Sequence, residues 1–223
     1  MLKFYYHPLS PIARRVWIAL LEKEVPFEPV IVDLKDKQQF SAEYLALNPF
    51  HHVPAIVHGE VRLIESFAIL DYLDKQFPKI SLSPVEPAAF GKMRMVQMTV
   101  MNELSPKLVL FLAATESSPL DRKTVEHLET CLRFLQQTLG NTAYFGGNHI
   151  NLADVIAGAT VSLYARLGLS LEPYPLLECW HSRIIKRPAW QITRPEEPDF
   201  QQWKRYVQLQ VKLHRRKLVK SAS

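Results

Sequence analysis

Apolar positions in the first third of the chain switch between two periods. Leu2 to Tyr6 is a short apolar and aromatic run, the pattern of a strand. Ile12, Val16 and Leu20 then fall at helical spacing over residues 12–23, one stripe turned toward a core. Pro29 to Leu34 (PVIVDL) reads as a second strand, and Ser41 to Leu47 as a short helix stopped by Asn48-Pro49. Two more apolar runs, Ala55–Val57 and Val61–Ile64, face each other across His58-Gly59-Glu60, which predicts a tight hairpin. Ser66 to Phe77 sets Phe67, Leu70 and Leu73 on one side of a helix. The order is therefore β-α-β-α-β-β-α. The first two strands each precede a helix and are expected to pair in parallel, and the last two antiparallel.

Residues 78–87 (PKISLSPVEP) lack either period and are rich in proline and serine, so they predict a linker. Helical patterns dominate beyond it, over roughly 88–116, 120–139, 152–168 and 175–187. Pro106 is expected to kink the first of these or end it early. Gly140 and Gly168 suit C-terminal caps. Val207, Leu209, Val211 and Leu213 alternate like a strand among good helix formers, which leaves the state of the tail open. The pattern thus predicts an α/β domain at 1–77, a linker at 78–87, an all-α domain at 88–200 and a basic tail at 201–223. A cleft between two such domains is a favoured place for a small-molecule site.

Composition narrows the picture further. With 48% apolar residues, a chain of 223 can bury a real core. It has no apolar run of 18 and no signal-peptide pattern at its start. Cys131 and Cys179 are far apart and fit no ligand set or disulfide framework, so a reducing, cytoplasmic setting is expected. The net charge of +5 is concentrated at one end. Residues 204–220 hold seven Lys or Arg and no acid, and the rest carries 20 basic against 22 acidic residues. A near-neutral body weighs against a nucleic-acid partner, and the arm reads as a solvated terminus with no membrane role.

The segment His52 to Ser66 (HVPAIVHGEVRLIES) carries the most chemistry. Val53-Pro54 favours an extended bend before a strand and can hold a cis bond. Glu65-Ser66 puts a carboxylate and a hydroxyl at a helix N-terminus, where free N–H groups favour anions. Such a site can grip a small zwitterion by both ends; the plain alternative is a hairpin followed by a capped helix. Ser10 precedes Pro11 at the start of the first helix, so it is an N-cap candidate. Its hydroxyl either only caps the helix or, with the free N–H groups, also stabilises a ligand's thiolate. His51-His52 has no partner ligands at suitable spacing, so no metal is expected.

Together these features resemble the cytosolic glutathione transferases across nearly the whole chain. LSPIARRVWIAL looks like the first-helix motif of the serine-type classes (theta, phi, zeta). NPFHHVPAI looks like the loop before the family's cis-proline, and Asn151-Leu-Ala-Asp154 like its helical-domain capping motif. The resemblance implies a thioredoxin-like N-terminal domain, an all-α C-terminal domain and glutathione as co-substrate. Ser10 would donate to the glutathione sulfur, with Tyr5, Tyr6 or Arg14 as alternatives. Val53 would pair its backbone with the cysteinyl residue, beside a cis Pro54. Glu65 would take the ammonium and Ser66 the carboxylate of the γ-glutamyl end, with His52 and Gln39 toward the glycyl end. Leu9, Asn102, Leu104, Leu108 and Phe111 would line the electrophile pocket. The implied activity is conjugation of glutathione to small apolar electrophiles by a homodimer, with the Met-rich helix (Met93, Met95, Met98 and Met101) suited to its interface or to packing. A non-catalytic scaffold and a glutathione-dependent isomerase or peroxidase are the other readings. Zeta members usually carry Ser-Ser-Cys where this chain has Ser10-Pro11-Ile12, which weakens the isomerase reading.

Overall fold

The structure, a computed structural model, describes residues 1–115 and 118–221, with side chains up to residue 213. Strand β1 (Leu2–Tyr6) leads into helix α1 (Pro11–Glu22) and strand β2 (Phe27–Ile31). Helix α2 (Ala42–Leu47), the hairpin β3 (Ala55–His58) and β4 (Val61–Ile64), and helix α3 (Ser66–Gln76) follow. The four strands form one sheet in the order β2-β1-β3-β4. β1 pairs in parallel with β2 and antiparallel with β3, and β3 pairs antiparallel with β4. Alternation along β1 sends Leu2, Phe4 and Tyr6 into the core, where Phe4 and Tyr6 stack with ring centroids 4.7 Å apart. Gly59 makes the hairpin turn with φ of 61°, a value glycine adopts without a Cβ clash.

The second strand differs from the expected Pro29–Leu34. Its ends follow the partner: β1 has five residues, and the register runs from Leu2 opposite Phe27 to Tyr6 opposite Ile31. Pro29 is tolerated because β2 is an edge strand.

After α3 the chain runs without helix until Glu86, whose carboxylate caps α4 (Pro87–Thr99) through the N–H groups of Ala88 and Ala89. Pro106 lacks the N–H that a continuous helix needs. The backbone takes a π turn at Val100–Leu104 and a 3-10 turn at Ser105–Lys107 before resuming as α5 (Leu108–Ala113). Helices α6 (Arg122–Leu139), α7 (Leu152–Arg166), α8 (Pro175–Ile184) and α9 (Pro188–Ile192) complete the bundle. The segment set aside as a tail belongs, as far as Ser221, to a 25-residue helix α10 (Glu197–Ser221). Phe200 is buried, and Trp203, Val207 and Val211 are half-buried at helical spacing. Gln208 Nε2 donates to the Leu112 carbonyl at 2.9 Å and ties α10 to α5.

Helix α7 is the centre of the second half, with almost every residue buried. Gly158 lets two neighbours approach: a Cβ there would lie 2.9 Å from Ile184 Cδ1 and 3.0 Å from Trp190 Cζ2. At its N-terminus Asn151 and Asp154 form the reciprocal capping pair. Asp154 also accepts from the Phe145 N–H at 3.0 Å and from Trp180 Nε1 at 2.8 Å. Burial lifts its pKa to about 6 against those donors, so it is ionised at neutral pH.

The sheet and the bundle join through α1. Arg187 clasps Glu22 with two bonds of 2.6 and 2.8 Å. Lys23 Nζ meets Asp74 Oδ1 at 2.8 Å in a fully buried pair, and Asp74 also accepts the Leu82 N–H at 2.6 Å. Arg15, only 2% exposed, reaches Ser105 Oγ at 2.9 Å and Thr160 Oγ1 at 3.0 Å.

Replacing Asp154 by Asn turns an NH₂ group against one of these donors and leaves a buried polar atom unpaired, at about 2 kcal/mol or more. Urea denaturation of Asp154→Asn is expected to show that loss, and an unchanged midpoint would contradict the capping role.

Candidate active site

Two cavities open beside the N-terminus of α1. The first, of about 580 Å³, runs along the edge of the sheet and is lined by Ser10, Gln39, His52, Val53, Pro54, Glu65 and Ser66, with Met101 entering from the π turn. All seven residues that the resemblance placed at a glutathione site therefore surround one space.

Each is set by local structure. Ser10 Oγ accepts the Ala13 N–H at 3.2 Å, and the turn before it closes with the Ser10 N–H bonded to the His7 carbonyl at 2.9 Å. The Ser10 hydroxyl proton has no acceptor among the described residues. The Val53-Pro54 bond is cis. The His52 carbonyl just before it accepts from Tyr44 Oη and Asn48 Nδ2, both at 2.7 Å. Burial, then the neighbouring Tyr5, pushes the Tyr44 pKa up to about 12, so the phenol stays a donor. Glu65 has φ of 67° and ψ of 117°, a region L-residues rarely adopt, at a cost of order 1–3 kcal/mol. It is the N-cap of α3 and is exposed, with no side-chain partner among the described residues. Ser66 is buried next to it, and Gln39 Oε1 is buried with no partner.

The second cavity, of about 550 Å³, lies between the start of α1 and helices α7 to α10. Leu9, Phe200 and Trp203 give it apolar wall, and Arg14, Arg166 and Arg194 give it charge. Arg14 donates to Thr193 Oγ1 and to the Trp190 carbonyl, both at 3.2 Å. Burial, then the like charges of Arg166 and Arg194, lowers its pKa to about 10, which still leaves it protonated at neutral pH. Among the described residues, Ser10 and no other lines both cavities.

The glutathione S-transferase N-terminal domain profile matches residues 4–84, and the C-terminal domain profile matches residues 95–188. Glutathione S-transferase Z1 of Arabidopsis thaliana is 30% identical over 207 residues, covering 89% of this chain and 94% of its own. The chain belongs to the glutathione S-transferase family. The maleylacetoacetate isomerase of Rattus norvegicus is also 30% identical, over 87% of this chain and 93% of its own. A solved glutathione transferase homologue from Sulfitobacter with bound glutathione aligns with a TM-score of 0.70 and 25% identity, over 86% of this chain and 96% of that one. The chain is thus a glutathione-dependent enzyme whose co-substrate is glutathione.

The transferase departs from sequence expectation in two places. Tyr5 and Tyr6 line neither cavity. Alternation buries Tyr6 against Phe4 and Trp17, while Tyr5 turns to the other face beside Tyr44. Of the expected electrophile-pocket residues, Leu9 lines the second cavity, and Asn102, Leu104, Leu108 and Phe111 line neither. Leu104 is fully buried, and its carbonyl accepts from Tyr164 Oη at 2.7 Å. Asn102 is exposed, and Leu108 and Phe111 pack on the core. The π turn rotates this stretch relative to a continuous helix, so the lining implied by the resemblance does not carry over to these four residues.

Sequence reasoning also missed Ser162, Arg166, His181 and Trp190, which line the second cavity. A signal existed: Ser162 and Arg166 stand four apart at the end of the apolar run from Leu152, so they share one face. Among the described residues no three His, Cys, Asp or Glu gather as metal ligands.

Proposed function

We propose that this enzyme joins the glutathione sulfur to a small electrophile, with glutathione in the cavity along the sheet and the electrophile in the cavity between the helices. The observation that carries this reading is that Ser10, alone among the described residues, lines both spaces. Glutathione lies extended along the Val53-Pro54 bend, its γ-glutamyl ammonium at Glu65 and carboxylate at Ser66 and the start of α3. Its glycyl end runs toward His52 and Gln39. Its sulfur sits at Ser10.

Ser10 then has a defined task. A free thiol has a pKa of about 8.5 and is mostly protonated at neutral pH. The Ser10 oxygen already accepts the Ala13 N–H, which leaves its proton to donate to the sulfur. A hydrogen bond to a charged group contributes about 1.5–3 kcal/mol, or one to two pKa units, enough to bring the thiol near 7. The positive end of α1 acts in the same sense. The thiolate attacks the electrophilic carbon and forms a C–S bond. A leaving group departs with its electron pair, or, where the thiolate adds to a double bond, solvent supplies the proton.

A second reading has one observation behind it, the 30% identity to an enzyme named maleylacetoacetate isomerase. There the thiolate would add, a bond would rotate, and the same thiolate would leave, so that glutathione is not consumed. Measuring thiol consumption separates the two.

The enzyme also suits a homodimer, because Phe90, Met95 and Met98 are exposed on α4. Light scattering is expected to give twice the mass of one chain, and a monomer would refute this.

Ser10→Ala is expected to lower kcat/KM at pH 6.5 by about tenfold or more and to move the acid limb of the pH–rate profile, where activity rises with thiol ionisation, up by about one unit. Retention on immobilised glutathione should change little. An unmoved pH profile would shift thiol activation to another group, Arg14 first. Glu65→Ala is expected to weaken glutathione binding about tenfold and leave the pH midpoint in place, as titration calorimetry and the same profile would show.

A further inference from the structure

The cavity between the helices is not the apolar slot that a purely hydrophobic electrophile needs. Three guanidinium groups line it, from Arg14 on α1, Arg166 at the end of α7 and Arg194 after α9. Among the described residues one carboxylate pairs with any of them: Glu197 holds Arg166 at 2.7 Å and is itself more than half exposed. The hydrogen-bond partners of Arg14 among the described residues are neutral, the Thr193 hydroxyl and the Trp190 carbonyl. Arg194 makes no ion pair among the described residues, and Lys186 adds a fourth cation to the wall. Arg14 feels the repulsion of both Arg166 and Arg194.

The wall is polar in a second respect. Ser162 Oγ, Arg166 Nε, His181 Nε2 and Trp190 Nε1 are all buried without a hydrogen-bond partner among the described residues, and all four residues line this cavity. Trp190 is 1% exposed, so its dipole is shielded from solvent. Like charges held together in a half-closed space destabilise one another, and an anion between them removes that repulsion. Arginine is suited to the task because its planar fork matches a carboxylate.

We propose that this cavity selects electrophiles that carry a carboxylate, with Arg14 and Arg166 taking the anion and Leu9, Phe200 and Trp203 packing against the apolar body. The reactive carbon then faces Ser10; this last point rests on the transferase reading given above. For an aryl halide the balance is simple: the thiolate forms the C–S bond, and the C–halogen bond breaks with chloride leaving as the anion.

A matched pair of substrates tests the idea. With saturating glutathione, kcat/KM is measured for 4-chloro-3,5-dinitrobenzoate and for its methyl ester, each divided by its uncatalysed rate constant. The acid is expected to be preferred by tenfold or more, and the acid-to-ester ratio to fall at least tenfold in Arg14→Gln and in Arg166→Gln. Because the ratio is internal to each protein, partial misfolding of a variant cancels. An ester preferred or equal in the wild type, or a ratio untouched by both substitutions, overturns the proposal.

Calorimetry with unreactive 3,5-dinitrobenzoate and its methyl ester, without glutathione, applies the same criterion to binding alone. Tighter binding of the acid, lost in the variants, with no turnover of either substrate would sink the transferase reading and leave this one standing. Turnover of both substrates without discrimination would do the reverse. Binding of neither compound would overturn the anion site.

Discussion

The burial of α1 between the sheet and α7 is the constraint on which the rest depends. Arg15 makes that burial unusual, because its guanidinium sits in the interior with no carboxylate bonded to it among the described residues. Its partners are the hydroxyls of Ser105 and Thr160 and the sulfur of Met101. Burial alone lowers its pKa to about 10, so it enters the interior charged. A charge of this kind persists only where its neighbours are fixed. The π turn supplies Met101 at its second residue and Ser105 just past its end, and α7 supplies Thr160. The break before Pro106 and the position of α1 are therefore one arrangement.

That arrangement brings the chemistry together. With α1 fixed from behind by Arg15 and at its far end by Glu22 and Lys23, its N-terminus projects between the two halves. The free N–H groups and the Ser10 hydroxyl face a place where two molecules can meet. Helix geometry does the same work for any anion. On the proposed reading, a neutral hydroxyl donor in place of a cation would suit a thiol, because a cation would bind the sulfur tightly but leave a weaker nucleophile.

Much of the N-terminal half was legible because strand and helix periods alternate cleanly there. The hairpin across Gly59 and the parallel pairing of β1 and β2 follow from local pattern, while the gathering of Gln39, Val53, Pro54, Glu65 and Ser66 was implied by the family resemblance. The end of β2 did not, because ladder pairing and not hydrophobicity sets where an edge strand stops. The helical half was harder. A π turn interrupts the long helix just before Pro106, and Leu104 at its end is fully buried. In α10, Val207 to Leu213 alternates by coincidence. The real signal was the stripe Phe200, Trp203, Val207 and Val211, read at 3.6 residues per turn. The convergence of Arg14, Arg166 and Arg194 spans three elements far apart in sequence and has no local pattern at all.

Chain order gives the two cavities separate histories. Every residue lining the space along the sheet lies at or before Met101, whereas the other space is finished only by Phe200 and Trp203. A polypeptide growing from its N-terminus completes the first space long before the wall of the second. Recombination or drift confined to the last few dozen residues can therefore reshape the second space while the first stays unaltered.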